Sequence, residues 1–171
     1  MKLPKALEGE DNCINVIIET PMGSRNKFEY DEDADTFKLG KVLPAGSVFP
    51  HHFGFIPRTK GGDGDPLDVL VLLEIPTFPG NLLACRVVGI IEAEQTEKNK
   101  KTTRNDRLIA IPVESHDYAK VHSVRDLEKN VLKEICSFFK YYNSASGKKF
   151  KVLDIKGRKA AFKLVQDHIE K

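Results

Sequence analysis

Gly61-Gly62-Asp63-Gly64-Asp65-Pro66-Leu67-Asp68 runs directly into Val69-Leu70-Val71-Leu72-Leu73, and the junction of these two segments decides how the chain is read. Carboxylates crowded on one turn raise each other's pKa unless a cation neutralises them. Asp63 and Asp65 stand two residues apart, and Pro66 bends the path so that Asp68 can turn back toward the same volume. The apolar run that follows reads as a strand anchoring the turn. Mg²⁺ suits such a set, because it takes a few oxygen ligands and completes its shell with water and substrate phosphates. The segment therefore predicts a magnesium site.

Two other readings compete with it. An acidic glycine-proline loop can be a solvated turn and nothing more. A calcium-binding EF-hand loop matches at Asp63, Asp65 and, in the twelfth place, Glu74. It fails at the fifth place, Leu67, and at the sixth, where Asp68 replaces the required glycine. The run after it reads as strand, with no helix on either side.

Outward from this turn, short stretches of β character dominate the first two thirds: Cys13 to Glu19, Asn26 to Tyr30, Thr36 to Leu39, Val69 to Leu73, Leu82 to Ile91 and Leu108 to Val113. Nothing between them is long enough for a crossover helix, which favours an antiparallel, curled or barrel-like sheet. Helical spacing appears late. Val124, Leu127, Val131, Leu132, Ile135, Phe138, Phe139 and Tyr142 recur at steps of three and four, with Ser123 placed to cap and Asp126 three residues on. A short strand, Phe150 to Ile155, and a second helical pattern, Lys159 to Ile169, complete the chain. Glu92 to Arg107 is the most polar internal segment and reads as a solvated, mobile loop.

At 171 residues, 40% apolar and 30% charged, the chain fits one domain, 1–171, with an ordinary soluble composition. A net charge of +2 implies no non-specific affinity for nucleic acid. Cys13, Cys85 and Cys136 lie far apart without C-x-x-C spacing, so they read as buried, reduced thiols rather than a disulfide framework or a zinc ribbon. The amino terminus lacks the apolar stretch of a secretory signal, and no window is long enough to cross a bilayer. A cytoplasmic location is expected.

With the acidic turn set on a strand of a small sheet, the chain resembles the soluble family I inorganic pyrophosphatases. Asp63-Gly64-Asp65-Pro66-Leu67-Asp68 followed by Val69-Leu70-Val71 matches the family signature D-[GS]-D-P-x-D and its apolar strand in full. Val16 to Pro21 is similar to the first core strand with its active-site glutamate, Lys27-Phe28-Glu29 to the K-[YF]-E element, and Phe49 to Pro57 to the segment Y-P-x-N-Y-G-[YF]-I-P. The resemblance implies an α+β fold, an OB-like five-stranded antiparallel β-barrel with flanking helices. It implies Mg²⁺-dependent hydrolysis of pyrophosphate, with Mn²⁺ as a substitute, and a homo-oligomer, commonly a hexamer in prokaryotic members.

Carried over by residue, the resemblance makes Asp63 and Asp68 metal ligands and Asp65 the carboxylate that orients and deprotonates the attacking water. Glu19 and Glu29 bind a further metal through water. Lys27 holds one phosphate oxygen and Tyr142 donates to another. The chemistry accounts for these residue types, since a highly charged anion needs cations on its oxygens and a metal to lower the pKa of a water.

The chain departs from the family elsewhere. Lys41 stands at a phosphate-binding arginine and loses the bidentate fork while keeping the charge. Phe49 and Phe53 replace tyrosines and His52 replaces an asparagine; the lysine expected after Tyr142 is Asn143, or is Tyr142 itself when Tyr141 is paired with the family tyrosine, and neither alignment restores a cation there. The second acidic cluster, D-x4-D-x-K, has Gln95 and Asn105 at its aspartate places and Arg107 at its lysine place, with Asp106 one residue off. Either Glu94, Glu97 or Asp106 supplies replacement ligands to a divergent active enzyme, or the chain is a paralogue that keeps fold and metal without efficient hydrolysis.

Other candidates are weaker. His51 and His52, adjacent in an extended segment, point to opposite sides and do not share an ion. His116, His122 and His168 match no ligand spacing. Lys148 follows Gly147 as in a family element near the substrate, although a solvated face explains it equally well. Single-stranded nucleic acid needs aromatics interleaved with basic residues, and Phe53, Phe55 and Phe78 have few basic neighbours.

Overall fold

In the computed structural model, which describes residues 2–9 and 13–170, the chain runs through strands β1 (Leu7–Glu8), β2 (Cys13–Thr20), β3 (Asn26–Asp31), β4 (Thr36–Val42), β5 (His52–Phe55), β6 (Asp68–Val71), β7 (Leu82–Thr96), β8 (Thr102–Arg104) and β9 (Arg107–Pro112). A 3-10 turn (Val124–Asp126), helix α1 (Lys129–Ser144), strand β10 (Lys149–Gly157) and helix α2 (Arg158–Asp167) follow.

Strand β2 pairs antiparallel with both β5 and β7, β5 with β6, and β7 with β9, while β6 and β9 run parallel. The pairings thus lead from β2 through β5, β6, β9 and β7 back to β2. The expected antiparallel arrangement of five strands needs correcting in two respects. One pair is parallel, and the sheet has eight strands, with β3 and β4 forming a separate two-stranded sheet. Parallel pairing needs a long connection, and the chain between β6 and β9 supplies it by detouring through β7 and β8. Where β2 meets β5 the backbones come so close that a Cβ on Gly54 would lie 2.1 Å from the Ile17 carbonyl oxygen.

Strand alternation divides the core into two parts. On β6 and β9, Val69, Val71, Leu108 and Ala110 face one cluster, which Ala161 and Val165 of α2 join. Leu70, Ile109 and Ile111 face the other, together with Ile135 and Phe139 of α1 and Phe150 of β10. The sheet is therefore covered on both faces, and the loops at the start of β6 and β9 open between them.

Three local readings change. Ser123 and Asp126 do form a capping box, but it caps only the 3-10 turn. Leu127 and Glu128 are then extended (ψ 148° and 134°), and the helix starts at Lys129. The stretch Glu92 to Arg107 is mostly strand rather than loop: β7 continues to Thr96, and β8 pairs back onto it with Gln95 opposite Thr103. Thr96, Thr102 and Thr103 suit a half-exposed pleat, and the reversal uses Lys100 at φ 67°. Of the cysteines, only Cys85 is buried, while Cys13 and Cys136 are half-buried. Among the described residues, no helix is long and apolar enough to cross a membrane.

Candidate active site

The acidic turn is held from beneath. Leu67 is buried, and its N–H donates to Thr59 Oγ1 (3.0 Å), whose hydroxyl in turn donates to the Ile56 carbonyl (2.7 Å). The loop closes on itself through Gly61 N–H to the Asp65 carbonyl (2.7 Å) and Gly64 N–H to the Gly61 carbonyl (3.1 Å). Gly64 takes φ +98° between the two exposed aspartates, a conformation that L side chains rarely adopt. Asp68 follows as the first residue of β6.

The β3–β4 hairpin supplies the next wall. Lys27 and Glu29, two apart on β3, share a face, and Lys41 lies opposite Lys27 in the register. Lys27 Nζ and a Glu29 oxygen are 2.5 Å apart. The Glu29 carboxylate rests on Gly40, where a Cβ would approach its Cδ to 2.5 Å. The hairpin is tied to β2 by Thr20, whose hydroxyl accepts from Phe28 N–H (3.0 Å) and donates to the Phe28 carbonyl (3.2 Å). Burial opposes the Lys27 charge, yet Tyr142, the bond to Glu29 and the Glu19 charge outweigh it and raise its pKa. Burial also works against the Glu29 charge, but Lys27, with Lys38 and Lys41, lowers its pKa overall.

Opposite lies a wall of different character. Arg107 opens β9 and is 5% exposed. Its guanidinium carbon stands 5.1 Å from the ring centre of Phe139, 5.8 Å from Phe150 and 6.0 Å from Phe53. Nη1 donates to Asp68 Oδ2 and to Asn105 Oδ1. Asn105 Nδ2 donates to Gln95 Oε1 (3.2 Å), Gln95 Nε2 to Glu97 Oε1 (2.6 Å), and Lys148 Nζ stands 3.0 Å from Glu97 Oε2. Nearby, Lys41 Nζ sits 3.6 Å above the Tyr142 ring and donates to Ser146 Oγ at 2.6 Å. Burial raises the pKa of Asp68, against the pull of Arg107 and Lys27. Burial likewise lowers that of Lys41, and Lys27 and Lys148 add to the effect.

These walls enclose a cleft of about 570 Å³ that brings together Asp63, Asp65, Asp68, Glu29, Lys27, Lys41, Arg107 and Tyr142. Glu19 is set apart, in an adjoining cavity of about 360 Å³ that shares Lys27, Glu29, Asp65 and Asp68 with the cleft. It is buried, accepts from Tyr30 N–H at 2.8 Å, and burial raises its pKa to about 7. Asp106 is not in the cleft. Its Oδ1 accepts from Ala93 N–H (2.9 Å) and Arg104 Nε (2.6 Å), and the residue lines a separate cavity that shares Asp63 and Asp68 with the cleft. Glu94 alternates with Gln95, so of the three replacement acids considered only Glu97 lines the cleft.

Chemically, the acidic turn fits a hard divalent ion, since its donors are carboxylate oxygens. Among the described residues, no three Asp, Glu, His or Cys side chains converge as a ready cage. An ion that keeps several waters and takes further ligands from a phosphate needs no such cage. The opposite wall offers cations, amides and hydroxyls, the groups that bind phosphate oxygens.

The family model described as inorganic pyrophosphatase matches residues 16–171. The chain belongs to the inorganic pyrophosphatase family. It is 40% identical over 159 residues to an inorganic pyrophosphatase of Halalkalibacterium halodurans, covering 92% of this chain and 94% of that protein. Another, of Saccharolobus solfataricus, is 38% identical over 152 residues, 88% of this chain and 85% of the relative. The crystal structure of inorganic pyrophosphatase from Thermus thermophilus superposes with a TM-score of 0.88 at 34% identity, covering 98% of this chain and 95% of that one.

Within this pyrophosphatase scaffold, several cleft residues had no role in the sequence reading. Ser146, Lys101 and Thr103 line the cleft although nothing in their spacing marks them. Lys148 reaches it as well, which decides against the solvated face. Gln95 and Asn105 were identifiable only as absent aspartates, and their bond to each other needs the β7–β8 pairing. Asn143 is buried with its Nδ2 donating to the Phe139 carbonyl (2.9 Å), so its amide is engaged within α1. His52 is fully buried, its Nδ1 accepting from Met22 N–H (2.9 Å) and its Nε2 facing the Ile75 carbonyl (3.1 Å).

Proposed function

We propose that the chain hydrolyses inorganic pyrophosphate to two orthophosphates, with Mg²⁺ as cofactor and Mn²⁺ as a substitute. The observation that carries this reading is Asp65. It is exposed between Asp63 and Asp68, its carboxylate makes no hydrogen bond or ion pair among the described residues, and it lines the same cleft as Lys27, Lys41 and Arg107.

Asp63 and Asp68 are the residues that would hold the ion, with Glu29 and Glu19 behind them. When bound, the ion neutralises phosphate oxygens and lowers the pKa of a coordinated water. Asp65 orients the attacking water and takes its proton as the new P–O bond forms and the bridging P–O bond breaks. Lys27, Lys41 and Arg107 hold phosphate oxygens by charge, and the Tyr142 hydroxyl donates to another. Because little covalent chemistry falls to the protein, positioning and charge stabilisation supply most of the catalysis.

The circuit of strands β2, β5, β6, β9 and β7 supports reading the sheet as an OB-like barrel, folded with the rest of 1–171 as one domain. A cytoplasmic homo-oligomer, up to a hexamer, fits the family. Ile75 and Phe78, 61% and 64% exposed between β6 and β7, leave apolar surface that such assembly could cover, and light scattering tests it. The neutral amides Gln95 and Asn105 favour a second reading, a paralogue that binds metal or phosphate without efficient hydrolysis. Phosphate release from pyrophosphate, triphosphate and nucleotides, under Mg²⁺ and then Mn²⁺, separates the two. Turnover of pyrophosphate supports the enzyme, and no turnover of any substrate leaves the paralogue.

A further inference from the structure

The wall opposite the acidic turn is built from side chains bonded in series, although Arg107 Nε is buried without a hydrogen-bond partner among the described residues. Starting at Arg107 Nη1, each donor serves the next residue's oxygen through Asn105 and Gln95 to Glu97, which Lys148 also neutralises. Both amides use their NH₂ to reach the next member. A carboxylate at 95 or 105 has no proton to give, so the series depends on amides at these places. Their oxygens each accept one bond from a protein donor, and neither carries the negative charge with which an aspartate would hold a divalent ion.

Arg107 is fixed within this wall. Three phenylalanine rings surround its guanidinium, and Nη1 lies between the Asp68 carboxylate and the Asn105 carbonyl oxygen. A positive charge held between these oxygens has the donor environment of a bound cation, supplied by the chain itself. A doubly charged ion beside it would meet repulsion, and the nearest carboxylate on that wall, Glu97, is paired with Lys148.

We propose that Arg107 is a resident cation in place of a divalent ion between Asp68 and Asn105, so that the wall of Gln95, Asn105 and Arg107 recruits no metal. This rests on the reading that the acidic turn takes a divalent ion.

The test is the number of Mn²⁺ ions bound per folded chain, counted by electron paramagnetic resonance of the free ion at saturating Mn²⁺. Asn105→Asp/Arg107→Gln should bind one ion more than the wild type, and Gln95→Ala/Asn105→Ala should lose none. If melting shows that Arg107→Gln disrupts the phenylalanine pocket, Asn105→Asp/Arg107→Met removes the charge while keeping an apolar chain among the three rings. The same gain of one ion is expected there. An unchanged count in a folded acidic variant, or loss of an ion from the alanine variant, overturns the proposal. A wild-type count of zero instead overturns the metal reading of the acidic turn, while the difference between variant and wild type still decides the role of Arg107.

Discussion

Arg107 donates to Asp68 across the parallel pair of β9 and β6, where Val69 is in register with Leu108. The two residues open their strands side by side, so the strand pairing itself delivers the guanidinium to the acidic turn. An ion pair between a buried arginine and a side chain only 26% exposed is costly to break from one side, because the surviving charge stays buried.

Asp68→Asn should therefore lower stability in metal-free buffer by about 3 kcal/mol, the lower end expected for breaking a buried pair. Adding Arg107→Met should recover much of the loss by removing the stranded charge. Denaturant unfolding of both variants measures this, and an Asp68→Asn midpoint equal to the wild type would refute the pairing.

Gly54 permits the close contact of β5 with β2. In Gly54→Ala the new methyl would overlap the Ile17 carbonyl oxygen, a backbone atom that cannot rotate away. A loss of about 3 kcal/mol or failure to fold is expected, at or above the upper end for overpacking. Thermal melting of the variant at its wild-type temperature would show that the two strands are further apart than described.

His52 gives the stability a pH dependence of definite sign. Its Nδ1 accepts a backbone N–H, so the neutral ring carries its proton on Nε2, toward the Ile75 carbonyl. Burial lowers its pKa below the ordinary 6.5, despite that carbonyl and the one of Leu73. As pH falls through 6.5 the unfolded chain takes up a proton that the folded chain refuses. The contribution of His52 is thus complete above 6.5 and is lost between 6.5 and its folded value. Burial moves His51 the same way. Glu19, whose pKa burial raises, works in the opposite direction over the same range in wild type and variant alike, so the His52 contribution is read as a difference: from 6.5 downward, His52→Asn should lose less unfolding free energy on acidification than the wild type. An unchanged slope in that variant contradicts the assignment.

Much of this architecture is legible in local pattern. The runs of β character located seven of the strands, and the three- and four-residue steps located both helices, because each pattern is set by neighbours in sequence. The acidic turn was legible for the same reason, whereas Lys27-x-Glu29 was marked only by its resemblance to the family element. What escaped depends on contacts between distant residues. The parallel pairing of β6 with β9 is invisible in either strand alone. Asp106 has the right charge one position from the aspartate place, and only its bonds to Ala93 and Arg104 show that its carboxylate is held outside the cleft. Glu92 to Arg107 is polar enough to read as a loop, and its hairpin emerges only when Gln95 is set against Thr103.

Lys41 contributes charge without the fork of an arginine and is steadied by Tyr142 and Ser146. Lys41→Ala should raise KM for pyrophosphate by about 10- to 100-fold, the loss expected for a hydrogen bond to a charged group, with a smaller change in kcat. Steady-state kinetics across a range of pyrophosphate concentrations reads the two apart. An effect confined to kcat would place Lys41 away from ground-state binding.

Asp65 carries the central claim, and phosphate release from pyrophosphate with Mg²⁺, measured in parallel for the wild type and Asp65→Asn, tests it most directly. The substitution keeps the shape of the turn and removes the base. Positioned proton transfer accounts for about 10²- to 10⁴-fold in rate, so a fall of that size in a variant with wild-type melting is the expected result. Wild-type rates in Asp65→Asn, or no release by the wild type itself, would contradict it.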